Sequence, residues 1–430
     1  MASIIPFKGL IYDREKVGGD PSSVMAPPYD VISPKEQDAL YAKNPDNIIR
    51  IILGKDEEGD GAENNKYTRA AGYLRKWQEE GILKRDTEDA FYVYLQDYTA
   101  EGRKFTRLGF FGLLKIEDDD DDPVVPHEHT LARPKEDRMN LIKETRANLS
   151  SIFTVFSDEG GRITSILKDA AASTEPLLDM MIDDVRHVLW RLADKNAVQE
   201  VQSLMKDKEV YIADGHHRYA VAKAYRDFRK AEEGYDGSAD HVLMYFTDLE
   251  VSDNLTVFAT HRVVKEMSLS GDSEIKNKLS GYFQVDEMDS LTHLMDKLHT
   301  NGESSHVFGY YGGDKYVALK LKDESSLTDI VKDDKSEEWK KLDVSILHSG
   351  IFRSLLSVKD GEGNLTYVHT AEEAERLVKD KSHSAAFFLN PTKVTEMTAV
   401  AGRGDMMPQK STYFYPKLLT GLVINKFDKD

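Results

Sequence analysis

The residues of this chain best suited to chemistry are Asp214, Gly215, His216, His217 and Arg218. Before them, residues 211–213 have the character of a buried strand. After them, Val221, Ala224, Tyr225 and Phe228 recur at helical spacing. A strand that feeds a helix through Asp-Gly leaves free backbone N–H groups and the positive helix end facing the turn, which draws an anion. Two imidazoles and a guanidinium at the same place suit phosphate oxygens. As plain first-turn residues behind an Asp N-cap they would oppose the helix dipole. Adjacent positions on a helix diverge by about 100°, so His216 and His217 do not readily chelate one ion. His216 is expected on the phosphate and His217 in proton transfer.

A second group is Pro126-His127-Glu128-His129-Thr130, followed by Arg133, Lys135, Arg138 and Arg146. In an extended segment His127 and His129 share one face and Glu128 takes the other. Two chemistries compete with a solvated loop. His127 and His129, joined by His216, could ligate a metal, or Glu128 could act as a catalytic carboxylate beside bound phosphates. The surrounding cations favour phosphate and work against a bare zinc site. A third group is Lys410-Ser411-Thr412 within residues 407–417. It has the ending of a phosphate loop but lacks the glycines, and Tyr-Phe-Tyr-Pro does not continue as a helix, so it is no Walker loop. Lys410 with the Ser411 and Thr412 hydroxyls can still complete an anion pocket; the alternative is an aromatic strand at a core edge. The acids of residues 117–122 lack the spacing of a calcium loop and suit a solvated loop. No Gly-x-Ser-x-Gly elbow and no strand-linked Gly-x-Gly-x-x-Gly occurs.

These groups need a scaffold. Strands are expected at residues 48–53, 152–156, 185–192, 241–249, 255–264 and 385–389, with a last one at 418–427. Hairpins are expected from 91–96 with 105–116, and from 306–311 with 316–321 around Gly312-Gly313-Asp314. Helices are expected at 67–78, at 193–206 capped by Asp194, at 343–356, at 370–380, and after an Asn390-Pro391 cap. Ser33-Pro34-Lys35-Glu36 is a capping box that starts another. Strands linked by short hairpins outnumber strand–helix–strand units, which predicts an α+β chain with mixed, largely antiparallel sheets. Residues 1–266 form a first region carrying both histidine motifs. Residues 267–430 form a C-terminal α/β region, from which 402–417 could return to the site.

The 430 residues carry a formal net charge of −19, with a pI near 5.2. Duplex nucleic acid is thereby not expected as a main partner, while a local basic pocket for a small anionic ligand is allowed. The absence of cysteine removes thiolate and disulfide chemistry and fits a reducing compartment. Lys8, Asp13, Arg14, Glu15 and Lys16 leave no secretory apolar core there. No apolar run is long enough to span a membrane. Cytoplasm is expected, and a homodimer is allowed.

Residues 26–32 (APPYDVI), 126–131 (PHEHTL), 133–148 (RPKEDRMNLIKETRAN), 214–219 (DGHHRY), 343–348 (DVSILH) and 408–417 (PQKSTYFYPK) together resemble the DUF1015 family, in order through nearly the whole chain. The family is one of unknown function. The Asp-Gly-His-His-Arg turn is also similar to that of ParB-like proteins, including free-serine kinases that use ADP or ATP. That resemblance implies a ParB-like core, nucleotide phosphates on residues 214–218, and a separate glutamate as base on the substrate hydroxyl. Glu128 is chosen as that glutamate on its chemistry. The expectation is a nucleotide- or phosphate-binding enzyme, a small-molecule kinase moving a phosphoryl group from ADP or ATP to a hydroxyl such as that of serine. Asp214 and His217 would assist. Arg138, Arg146 and Lys410 would neutralise phosphate oxygens, and Mg²⁺ would bridge them with Asp214 or Glu128 nearby. The alternatives are a non-catalytic nucleotide sensor or partner-binding protein, and a metallohydrolase on His127, His129 and His216.

Overall fold

Ser33 caps the helix that Pro34 begins, as the Ser-Pro-Lys-Glu pattern requires. In the computed structural model, which describes residues 1–427 except 119–120, 131, 252–254, 270 and 360–362, α1 (Pro34–Lys43) opens on a reciprocal pair. The Glu36 N–H donates to Ser33 Oγ at 3.3 Å and the Ser33 N–H to Glu36 Oε2 at 2.8 Å. Leu131, Ser270 and two acids of the 117–122 run lie outside the described residues.

The chain divides into two units. The first comprises Met1–Pro126, Thr130–Thr256 and Pro416–Asp430; the second comprises His127–His129 and Val257–Tyr415. The division therefore falls ten residues before the expected 266, three residues of the first histidine motif join the second unit, and the chain end rejoins the first.

Among the described residues the first unit is built on a nine-stranded sheet. Its strands are β1 (Phe91–Ala100), β2 (Arg103–Lys115), β3 (Val124–Val125), β4 (Ile152–Phe156), β5 (Leu178–Ile182), β6 (Val185–Leu192), β7 (Val210–Asp214) and β8 (His241–Asp248), with Ile4–Ile5 pairing on β2. The order is β3-β7-β4-β8-β2-β1-β6-β5. The β7–β3 and β8–β4 pairs are parallel; the other pairs are antiparallel. Phe91, Phe110, Ile152, Met244 and Phe246 of this sheet pack with Ile163 and Leu167 of the helix Arg162–Ser173 in one apolar core. The helices Ala132–Thr145 and His216–Lys230 meet through Ile142, Val221 and Tyr225.

Among the described residues the second unit holds a six-stranded antiparallel sheet. Its strands are β9 (His261–Val264), β10 (Phe283–Met288), β11 (Val307–Tyr311), β12 (Tyr316–Leu321), β13 (Leu365–Val368) and β14 (Ala385–Phe388), in the order β10-β12-β11-β14-β9-β13. Leu294, Leu298, Ala374 and Val378 cover one face. Residues 346–356 wind as a π-helix that is buried over 346–352, His348 included. The α+β class, with largely antiparallel sheets, is thus the observed one.

Three local expectations are corrected. Residues 48–53 are not a strand but contain the short helix Ile49–Ile52. Buried Asn47 accepts the Ile49 N–H at 2.9 Å and donates to Ser23 O at 2.8 Å and Met25 O at 3.0 Å, so a side-chain cap starts a turn in an apolar run whose period is ambiguous. Asn390 does not cap a helix; it donates to Leu298 O at 3.1 Å, and the helix Val394–Gly402 starts after Lys393, whose N–H donates to Glu396 Oε2 at 2.9 Å. Residues 418–427 are not one strand, because Gly421 leaves the extended region at φ 104°. Asn425–Lys426 pairs antiparallel to Ala147–Asn148, while Thr420 and Ile424 make single bridges to Ala26 and Leu10.

Candidate functional site

β7 ends in a bulge. Tyr211 and Ile212 pair with Val155 and Thr154, the register shifts, and Asp214 then pairs with Phe153. Gly215 follows at φ 104°, and the helix begins at His216. His216 is buried and His217 half-buried. The Arg218 side chain folds back over the turn: a Cβ placed on Gly215 would lie 3.1 Å from its guanidinium carbon. Gly215→Ala is therefore expected to cost about 1–3 kcal/mol, from a strained left-handed backbone and a displaced Arg218. A urea melt measures it, and an unchanged midpoint would contradict the account.

Asp214 is held from two sides. Arg218 Nη2 lies 2.5 Å from Oδ2 and Lys417 Nζ 2.6 Å from Oδ1. All three side chains are under one-fifth exposed. Burial acts to raise the Asp214 carboxyl, but the Lys417 ammonium and the Arg218 guanidinium outweigh it, and the group is held far below the usual carboxylate range. One anion between two cations leaves this turn net positive inside an acidic chain. Arg218 also donates to Ser151 O.

Beside the turn, still in the first unit, is a small cleft. Leu141, Ile152 and Val221 contribute apolar walls, and Tyr29, Arg138 and Arg218 bring polar groups to it. The Arg138 guanidinium carbon sits 3.9 Å from the Tyr29 ring centroid. Its Nη1 donates to Ile52 O at 2.8 Å and its Nε to Asp137 Oδ2 at 2.9 Å. The helix Ile49–Ile52, missed from sequence, thus supplies the carbonyl that aims Arg138. Burial, then Asp30, raise the Tyr29 hydroxyl against the opposing pull of Arg138 and Arg218. Arg146 is not among the residues lining the cleft. It holds a left-handed backbone at φ 49° and its carbonyl accepts from Phe427.

In the second unit the other candidates gather. The Met407 N–H donates to His127 O at 2.7 Å, and Glu128 forms a parallel bridge with Met407. Glu128 Oε1 accepts the Lys410 N–H at 3.2 Å, while His127 Nε2 meets Thr412 Oγ1 at 3.1 Å. The Ser411 hydroxyl donates to Pro408 O. Lys410 itself is left-handed, φ 57°, a conformation costly for a long side chain. The three-histidine metal set is withdrawn. Among the described residues no three His, Asp or Glu groups converge as metal ligands, and the His127 ring is engaged with Thr412.

So Tyr29, Arg138, Asp214, Gly215 and Arg218 come together in one unit, and His127, Glu128, Lys410 and Thr412 in the other. Two participants were not anticipated as site residues. Lys417 closes the 408–417 segment, and a lysine that ends an aromatic run is a faint sign of an internal partner. Arg262 lies in the apolar stretch His-Arg-Val-Val, and a cation in a buried strand signals partners. No helix among the described residues is long and apolar enough to cross a membrane.

A family model described as a protein of unknown function (DUF1015) matches residues 4–345. No curated protein matches the sequence. Among solved structures, the chain is similar to a conserved hypothetical protein from Pyrococcus furiosus at 15% identity, covering 69% of this chain and 89% of that one, with a TM-score of 0.34. It is similar to a free serine kinase in complex with AMP at 14% identity, with 68% and 83% covered and a TM-score of 0.34. It is also similar to a C-terminally truncated SbnI from Staphylococcus aureus at 12% identity, with 73% and 86% covered and a TM-score of 0.36.

Proposed function

This chain belongs to the DUF1015 family, and we propose that it binds a nucleotide at the Gly215 turn and transfers a phosphoryl group to the hydroxyl of a small molecule. The observation that carries this reading is the meeting of Tyr29, Arg138 and Arg218, from three separate segments, on one cleft beside a net-positive strand-to-helix turn. Backbone N–H groups at the helix start, with the excess cation around Asp214, suit phosphate oxygens. The apolar walls and the Tyr29 ring suit a flat, partly apolar group attached to those phosphates. His216 and His217 remain the candidates for phosphate contact and proton assistance, and Lys410, Ser411 and Thr412 for further anion contact.

Glu128 is the candidate base. The Lys410 N–H orients its carboxylate, and it would take the proton of the attacking hydroxyl. A new O–P bond forms as the bridging P–O bond of the donor breaks, and AMP leaves from ADP or ADP from ATP. Such transfer depends chiefly on positioning and charge stabilisation. Magnesium was expected to bridge the phosphates with Asp214 or Glu128 nearby; Lys417 and Arg218 hold both Asp214 oxygens, so of the two Asp214 is the poorer fit for that role.

Calorimetry with ADP, ATP and pyrophosphate tests the binding half, and phosphoryl transfer to a panel of hydroxy amino acids tests the other. Absence of any heat at millimolar nucleotide would end the proposal. Tyr29→Ala, which removes the ring under Arg138, is expected to weaken ADP about tenfold, the size of one good cation–π and stacking contact. Equal affinity of variant and parent would detach the cleft from the nucleotide.

A further inference from the structure

Two arginines with no part in the proposed chemistry are almost wholly buried, one in each unit. Arg107 on β2 is 0% exposed and Arg262 on β9 is 1% exposed. Burying a guanidinium is costly unless its N–H groups are used, so their partners indicate what the burial achieves. Arg107 Nε donates to Gln96 Oε1 at 3.0 Å, and its Nη2 donates to Pro416 O. Gln96 passes the hold onward, since its Nε2 donates to Lys417 O at 3.2 Å. Arg262 Nη2 donates to Lys410 O at 3.0 Å and to Gln409 O at 3.4 Å, its Nε to His348 Nε2 at 3.2 Å, and its Nη1 to Thr260 O. Burial pushes Arg262 down to about 10, against the pull of Tyr367 and Glu128.

Both arginines thus grip main-chain carbonyls of the same stretch, residues 408–417, near its two ends. We infer that Arg262 and Arg107 are positioning residues that fasten this stretch at Gln409–Lys410 and at Pro416, so that the Lys410 N–H meets Glu128 and Lys417 meets Asp214. Lys410 supports the inference: its left-handed backbone persists only where the surroundings impose it, and Arg262 holds the carbonyl of that residue. Carbonyl contacts set the path of a backbone whatever its side chains. Two arginines hooking one strap therefore locate two functional contacts, Glu128 with Lys410 and Asp214 with Lys417.

The inference rests on the proposed site only in treating Asp214 and Glu128 as the groups to be served, and its test needs no turnover. In the full chain, Lys417 acylation by a small succinimidyl ester is followed by peptide mass spectrometry, and amide exchange is followed over residues 409–412. Arg107→Met is expected to raise Lys417 labelling about tenfold and leave exchange at 409–412 unchanged, whereas Arg262→Met does the reverse, because each removes a separate local restraint. Arg107→Lys and Arg262→Lys keep the charge but lose the fork. Each is expected to show a smaller change, about threefold, at its own end, and these carry the test if a methionine variant does not fold. Folded variants with parental labelling and exchange would overturn the inference. So would both reports rising together in every variant, which is general loosening. Failure of Asp214→Asn to affect phosphate binding would instead overturn the site and leave the strap standing.

Discussion

Asp214→Asn is expected to lower the unfolding free energy by about 3–5 kcal/mol and to abolish phosphate binding. The substitution leaves Arg218 and Lys417, both largely buried, facing a neutral amide, and removing one partner of a buried ion pair carries a cost of that order. The parent should show a matching pH dependence. The folded-state pKa of Asp214 is depressed, so its contribution is fully present above the unfolded value of about 4 and is lost as pH falls below that, toward the folded value. Urea melts of parent and variant should converge at low pH and separate above about pH 4. Binding is compared at denaturant-free pH 7, with circular dichroism showing the variant folded. A variant within about 1 kcal/mol of the parent at pH 7 would mean that the two cations find other partners, and that the turn is not organised around this carboxylate.

Glu128→Gln carries the second large effect. Glutamine keeps the shape and can still accept the Lys410 N–H that Glu128 Oε1 accepts at 3.2 Å, but its amide cannot take a proton. Turnover is expected to fall by about 10²- to 10⁴-fold, the usual weight of a general base, while the dissociation constant for nucleotide changes by less than about threefold. The pairing of results matters. Nucleotide binding with no turnover in the parent would favour a sensor over an enzyme. Full turnover in the variant would assign the proton to another group, with His217 the next to replace.

How much of this was legible in the residues varies with distance along the chain. The Asp214–Gly215–His216 junction was, because strand, turn and helix signals lie within a few positions and each has a local cause: the extended run, the glycine at φ 104°, the helical spacing after it. The Ser33 capping box and the hairpin between β11 and β12 were legible for the same reason. The helix at residues 49–52 was not. Its apolar run fits a strand as well as a helix, and the deciding group, Asn47, donates its other hydrogen bonds to the carbonyls of Ser23 and Met25, more than twenty residues away. The strand expected at the chain end failed because one glycine, packed closely against Met25, turns the backbone out of the extended region.

The sequence alone determined the local chemistry of this protein: an anion-suited turn, a carboxylate beside histidines, an acidic thiol-free chain, and alternating strands that had to form α+β sheets. Tertiary structure decided who meets whom. It grouped residues 127–129 with 257–415 in one compact unit, gave Asp214 a second cation from 203 residues away, and turned Arg107 and Arg262 inward onto one strap. Periodicity and capping act over a few residues and can be read in order. The partner of a buried charge is chosen by whichever distant group the packed core brings within about 3 Å, and nothing in the local pattern records that choice.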